Sequence, residues 1–416
     1  MRRSEPLWGA ICATLILLAS AETSLAGQVA QGPTPSRPQV RPAPVPATPP
    51  PPAALPPARG PSDLDLAFYH APIHYQDTDS TNYRADYTTR VDYDNNWVAD
   101  DNWDNLNRFQ LRAHAYFSVV ETCTHWFIVY GFFHPRDWTD SAADQEHEND
   151  LEGLLAIIRK DGSRFGRLEG IVTVFHLDFY SYTPSGSSLT KGRETIDGTL
   201  TMRFYEGSWR PLTAQQAKGH GLKAWPFAGD FQGKPNQDGI IYFPSKTTGE
   251  VPSSGNDRDV KYQLLDIFAP GGLWERQLAE AGLPRASALT SAQWGKFKGN
   301  ESGGCGRGIT VTCVGDSANL PWKWDDGDDA RIRVGTASSG APIYASEVQP
   351  GEMALDPAHL VDLYFDGLGN FSHKYLRNRY IADLKSRGYG PGRLPRGWPA
   401  QLDLGSLFLK LTTQCP

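Results

Sequence analysis

Two strongly apolar runs, 124–133 and 151–159, flank a polar loop, and this pairing limits the fold more than any other feature of the chain. The first run is nearly continuous in aromatic and β-branched residues, side chains that suit a pleated, half-buried surface. Similar runs recur. Residues 109–120 alternate apolar and polar, 170–182 and 198–205 are bounded by Gly, Asp, Ser or Pro, and 239–243 and 261–268 are shorter candidates. Many strands separated by turn residues predict a mainly β protein, an antiparallel β-sandwich. Helices are expected late and at the periphery. Residues 272–281 stop at Gly282, 356–365 place Pro357 at the first helical position, and 371–385 end before Gly388. They predict a helical C-terminal extension, about 270–416, packed on the sandwich.

The N-terminal residues read as an address. Arg2 and Arg3 precede a short apolar core (7–18), and Ser24 and Ala26 are small residues at the positions a signal peptidase inspects, so 1–26 is expected to be a signal peptide cut before Gly27. Its core is short for a membrane span. Residues 27–62 are dominated by Pro and Ala, which bury too little surface to offset ordering entropy, and predict a disordered, polyproline-like linker. A single globular domain is expected over 63–416, secreted or held in the periplasm or cell envelope. The formal charge of −7, with no basic run, argues against a nucleic-acid partner. Removal of the signal leaves Cys123, Cys305, Cys313 and Cys415, an even set that in an exported chain predicts two disulfides with three connectivities open. Cys305 and Cys313 bracket a short Gly-rich segment and are the easiest pair, leaving Cys123 with Cys415. No Cys-x-x-Cys supports a cysteine zinc site.

The loop between the two apolar runs carries the chemistry. Asp137 ends the first run, and His147, Asp150 and Glu152 arrive just before the second. Residues two apart in a strand share a face, so Asp150 and Glu152 project together. Carboxylates this close repel one another and raise each other's pKa unless a cation intervenes. Ca²⁺ and Mg²⁺ take clustered oxygens, whereas an added imidazole moves the preference toward Mn²⁺ and its neighbours. A divalent cation (Ca²⁺, Mg²⁺ or Mn²⁺) held by Asp137, His147, Asp150 and Glu152 is the expected site. Asp140, Asp144, Glu146 and Glu148 are expected to be solvated loop acids.

The order Phe-His-Pro-Arg-Asp (133–137), a short loop, then His147-Glu148-Asn149-Asp150-Leu151-Glu152 resembles the necrosis- and ethylene-inducing peptide-like proteins, whose signatures are Tyr-Phe-Pro-Lys-Asp and Gly-His-Arg-His-Asp-Trp-Glu. That resemblance implies a secreted, cation-dependent cytolysin on a β-sandwich that binds sphingolipid head groups, with Asp137, His147, Asp150 and Glu152 at the cation-site positions. It spans about residues 126–158. Glu146 replaces the leading Gly, Asn149 the second His and Leu151 the Trp. A similar strand occurs in other exported sandwich proteins of unknown role, including a family named for vacuolar protein sorting.

Other residues complete the candidates. His220 lies between Gly219 and Gly221, which permit close approach of a ligand, and would serve as a further ligand or a general base. His176, in an apolar run, is expected in the core, and His134 at the strand end beside Asp137. Trp97 and Trp103, set among Asp and Asn, would suit a sugar that stacks on indole. The acidic run 325–329, after Trp322 and Trp324, lacks the full pattern of a Ca²⁺ loop. No nucleophile elbow, His-Glu-x-x-His helix or phosphate-cradling loop is present. Three functions follow. The first is a secreted sandwich whose cation recognises a glycan or lipid head group, cytolytic where a membrane surface is damaged. The second is a metal-assisted hydrolase of phosphodiester or glycosidic bonds, with His220 or His147 moving protons. The third is a structural envelope module in which the linker matters most.

Overall fold

A computed structural model of the protein describes residues 60–79, 82–138, 147–176, 178–192, 196–226, 239–278, 291–297, 299, 318–324, 333–336, 342–344 and 349–415. The expected signal peptide, most of the expected linker, the expected Cys305–Cys313 pairing and the acidic run 325–329 fall outside the described residues. Among the described residues no helix is long and apolar enough to cross a membrane.

The chain enters through helix α1 (Asp63–His70), capped by the Ser62 hydroxyl, which accepts from the Asp65 backbone N–H at 3.1 Å. Strands β1 (Ile73–Gln76), β2 (His114–Thr122), β3 (His125–Asp137), β4 (His147–Arg159), β5 (Arg167–Phe175) and β6 (Asp178–Thr183) follow, with the short helix α2 (Asn102–Asn105) between β1 and β2. Next come β7 (Gly198–Thr199), β8 (Met202–Tyr205), β9 (Ser208–Gln215), β10 (Leu222–Ala224), β11 (Ile240–Ser245) and β12 (Val260–Asp266). The main path of the sheet runs β10-β9-β1-β11-β12-β2-β3-β4-β5-β6-β7.

The centre of this sheet is the meander foreseen from the apolar runs. β3 and β4 pair antiparallel from His125↔Arg159 to Asp137↔His147. Their residues are almost all buried, on both faces, because elements late in the chain cover the outer side. Gly153 shows how closely. A Cβ there would stand 2.6 Å from the Trp324 ring, and the Trp324 indole N–H donates to the Leu151 carbonyl at 3.0 Å. Tyr380 likewise reaches Ser118 on β2 through its hydroxyl at 2.8 Å.

The predicted antiparallel sandwich is corrected here. The sheet is mixed, with parallel pairs β1·β9, β11·β12, β12·β2 and β6·β7, and it curls into a nearly closed barrel. Alternation reports which residues are buried but not strand direction, and so it could not separate the two architectures. The curl brings the β9–β10 end of the sheet against β4 and β5, where a Cβ on Gly221 would meet the Phe175 ring at 2.6 Å.

The described C-terminal part mixes helices with two small antiparallel ribbons, Ser291–Gln293 with Lys296–Phe297 and Arg333–Thr336 with Pro342–Tyr344, so the expected helical extension is met only in part. Helices α3 (Leu273–Leu278), α4 (Glu352–Leu355) and α5 (Pro357–Tyr364) lie within or beside the predicted segments. The expected helix over 371–385 divides. Tyr375–Arg377 adds a strand antiparallel to β2, and α6 (Arg379–Ser386) starts only after Asn378, whose side chain accepts from the Ile381 N–H. A final helix, α7 (Leu404–Leu409), leads to Cys415, which forms a disulfide with Cys123 across a sequence separation of 292.

Candidate functional site

The β3–β4 ladder sets Asp137 opposite His147, His134 opposite Asp150 and Phe132 opposite Glu152. All four predicted ligands therefore lie at one end of two paired strands. Asp137 and His147 form a half-buried pair, 3.4 Å from carboxylate oxygen to Nε2, while Nδ1 of His147 is 3.1 Å from the Asn149 carbonyl. Asp150 and Glu152 sit deeper and are almost fully buried.

His220 arrives from the other side of the barrel, on the loop between β9 and β10. Its Nδ1 lies 2.8 Å from Asp150 and its Nε2 3.3 Å from Asp86, and its ring stacks on His134 with centroids 3.8 Å apart. The Gln215 amide donates to the His220 carbonyl at 2.6 Å, and its oxygen lies 3.2 Å from Nε2 of His134 and 3.0 Å from Nε2 of His74. The loop accepts unusual backbone to achieve this, with positive φ at Lys218 (71°) and His220 (54°). Gly219 and Gly221 let it in, since a Cβ at either would lie within 2.7 Å of His176 or Phe175.

Burial opposes a charge on His220, but the two carboxylates outweigh it and push its pKa up to about 10. The ring is thus an imidazolium with both N–H groups committed. In that state neither nitrogen carries a free lone pair, so a role as base or metal ligand would require the proton to leave first. Asp86, absent from the sequence-based expectations, is the second half of this clamp. It also accepts from the Asp79 and Lys218 backbone N–H groups at 2.7 and 2.8 Å.

Glu152 is the least settled group. One oxygen accepts from the His176 backbone N–H at 2.9 Å, while the other is buried with no hydrogen-bond partner. Burial, and then the Asp150 carboxylate beside it, push its pKa well above the ordinary value. Burial also pushes Asp150 up, but its bond to His220 and the imidazolium charge hold it below the usual carboxylate range. His176 is not a core residue as predicted. It occupies the β5–β6 turn, exposed and at φ 57°, because the run 170–182 is a hairpin rather than one strand. Its Nε2 lies 2.7 Å from the Gln216 side-chain nitrogen.

Other expectations are redirected. Glu148, expected in solvent, is fully buried and accepts from the Trp103 backbone N–H at 2.7 Å, anchoring the start of α2. Asn149 binds Asn102 and the Ala99 carbonyl, both at 2.7 Å. Trp103 carries the Arg136 guanidinium over its ring at 3.8 Å, and Trp97 faces Arg276 at 5.7 Å. Both indoles are partly buried and pack against the core, as tryptophans that anchor a polar turn do. His134, expected at the strand end, is fully buried beneath His220. Among the described residues, the group of three His, Cys, Asp or Glu whose ligand atoms all lie within 4.8 Å is elsewhere, at Glu352, Asp356 and His359.

No family model and no curated relative matches the chain in sequence. In structure it is similar to necrosis- and ethylene-inducing proteins. One is necrosis- and ethylene-inducing protein 2 from the causal agent of witches' broom disease of cocoa, at 14% identity and TM-score 0.23, covering 41% of this chain and 72% of that one. Another is the non-toxic HaNLP3 protein, at 14% identity and TM-score 0.21, covering 43% and 78%. NLPPya in complex with mannosamine matches at 15% identity and TM-score 0.19, covering 29% of this chain and 47% of that one. This is the family foreseen from residues 126–158, met again as a partial and distant likeness. At these TM-scores it carries no functional weight.

Proposed function

We propose that this is an exported protein that binds a divalent cation at the β3–β4 rim and, through it, a polar glycan or lipid head group. The observation that carries this reading is Glu152. A buried carboxylate oxygen without a partner, beside a second buried carboxylate, is costly unless a proton or a cation satisfies it. The donor types would suit a cation that draws them together, since among the described residues these four are not gathered within 4.8 Å of one another. Glu152 and Asp150 would supply oxygens from within and Asp137 a third, with His147 as a ligand or an orienting partner. His220, clamped by Asp86, would aim the Asp150 carboxylate from behind, as hydrogen-bonded partners do for ligating groups. A bound cation would offer open positions to sugar hydroxyls or to a phosphate. The Cys123–Cys415 disulfide supports export, with residues 1–26 as the removed signal, because such bonds persist in oxidising compartments.

The hydrolase reading would rest on His147, half-buried beside Asp137, since His220 is held between Asp150 and Asp86; the recognition reading requires no proton carrier.

The test is calorimetric titration of Ca²⁺, Mg²⁺ and Mn²⁺ into the full chain and into Glu152→Gln. One bound cation is expected, weakened at least tenfold in the variant, with release of a proton that appears as a buffer-dependent enthalpy. Indistinguishable titrations would remove the site. Glucosamine and mannosamine, bound by a similar structure, are the first sugars to add with and without chelator.

A further inference from the structure

A second group of metal-binding side chains stands apart from the rim, at the junction of α4 and α5. Glu352 opens α4, Asp356 ends it and precedes Pro357 of α5, and His359 lies one turn further on. Asp356 is the non-helical joint between the two helices (φ −141°, ψ 51°), and the bend there brings the start of α4 and the first turn of α5 together around it. Glu352 and Asp356 are buried, while His359 is half-exposed and open to solvent. Their ligand atoms all lie within 4.8 Å, and Nδ1 of His359 is 3.1 Å from Oε2 of Glu352.

The surroundings are fixed in advance. The Tyr375 hydroxyl donates to Asp356 Oδ1 and accepts from the Ala358 N–H at 3.2 Å. Lys410 forms an ion pair with Asp356 Oδ2. Tyr375 and Lys410 are themselves laced together, the Tyr375 N–H donating to the Lys410 carbonyl and the Thr412 N–H to the Tyr375 carbonyl, each at 2.8 Å. The disulfide at Cys415 fastens this tail to the sheet. At the open edge, His373 lies 3.2 Å from Asp362, its ring 6.1 Å from that of His359.

We propose that Glu352, Asp356 and His359 form a second metal site, selective for a zinc-class transition ion. The donor set is one imidazole and two carboxylates, which favours Zn²⁺ or Co²⁺ over Ca²⁺, Mg²⁺ and Mn²⁺. Zinc bonds of about 2.0–2.2 Å put neighbouring ligand atoms of a tetrahedral site roughly 3.3 Å apart, so the Glu352–His359 separation needs little adjustment. Tyr375 and Lys410 do not block Asp356. A carboxylate has about four acceptor directions, and ligating carboxylates are commonly hydrogen-bonded from behind. The charges favour a cation. Glu352, Asp356 and Asp362 face one ammonium, Lys410, and the two histidines stand beside them. Three protein ligands and an open side leave a position for water or an exogenous ligand.

The site is tested by titrating Zn²⁺, and separately Co²⁺, into the full chain carrying Glu152→Gln, in which the rim is weakened. One Zn²⁺ is expected to bind, with a visible Co²⁺ absorption band. His359→Gln and Glu352→Gln are each expected to weaken Zn²⁺ at least tenfold and to abolish the Co²⁺ band, with the thermal transition of the metal-free protein retained. Lys410→Met, which removes the competing ammonium, is expected to tighten Zn²⁺ several-fold. Unchanged Zn²⁺ affinity in folded His359→Gln overturns the assignment, and so does a Glu152→Gln protein that binds no Zn²⁺ below millimolar concentration. Neither result bears on the rim, which is read from the Ca²⁺, Mg²⁺ and Mn²⁺ titrations of the wild-type chain.

Discussion

The two ends of the β3–β4–β5 strands bury a glutamate each, and treat it in opposite ways. At the far end, Glu169 on β5 accepts from Arg159 at 2.6 Å, Arg167 at 3.1 Å and the Ser188 hydroxyl at 3.1 Å, and its other oxygen lies 3.3 Å from His125. Burial pushes its pKa up, but His125 and Arg159 outweigh this and hold it at about 2. At the rim, Glu152 has one backbone donor, one empty-handed oxygen and a carboxylate for a neighbour. Both carboxylates are withdrawn from solvent, and what differs most around them is the number of donors. A protein that can surround one buried glutamate with four donors has left the other short, and this is the signature expected of a group reserved for a ligand.

The contrast can be broken most directly at the satisfied end. Glu169→Ala strands Arg159 and His125 against a buried void, and is expected to cost about 3–5 kcal/mol in urea unfolding, with cation binding at the rim unchanged. Acid probes the same group without mutation. Because its folded pKa lies below the ordinary 4.5, its contribution is complete above that value and is lost as pH falls toward 2, about 3 kcal/mol in all. A stability profile flat from pH 5 to 2.5 would contradict this. The smallest effect is expected at Glu152. Its folded pKa is raised, so its contribution is present below the ordinary value and is lost as pH rises through the folded pKa. Glu152→Gln is therefore expected to unfold at equal or slightly higher urea at neutral pH without added cation, a gain of up to about 1 kcal/mol, and to lose the stabilisation that cation gives the wild type. Destabilisation of Glu152→Gln as large as that of Glu169→Ala would erase the distinction.

The central meander was legible because aromatic and β-branched runs bounded by turn residues announce strands. Within it, the parity of Asp150 and Glu152 and the facing ends Asp137 and His147 needed only the period of a strand. Asp86 was not legible. It lies in an irregular segment, and its significance comes from His220, 134 residues away in sequence. His176 and Glu148 were misplaced for a related reason. Composition marks an apolar run or an acidic loop, but it cannot tell that the chain turns at 176, or that α2 needs a buried acceptor at its start.

The sequence by itself determined a mainly β protein, the strands that carry the candidate ligands and which carboxylates share a face. These depend on local periodicity and on a short loop, which a linear reading captures. The tertiary structure alone decided the parallel pairings that curl the sheet, the clamp of His220 between Asp150 and Asp86, and the shortage of donors around Glu152. Those depend on segments far apart in the chain meeting inside a low-dielectric interior, where the presence or absence of one hydrogen bond sets the charge state of a buried group.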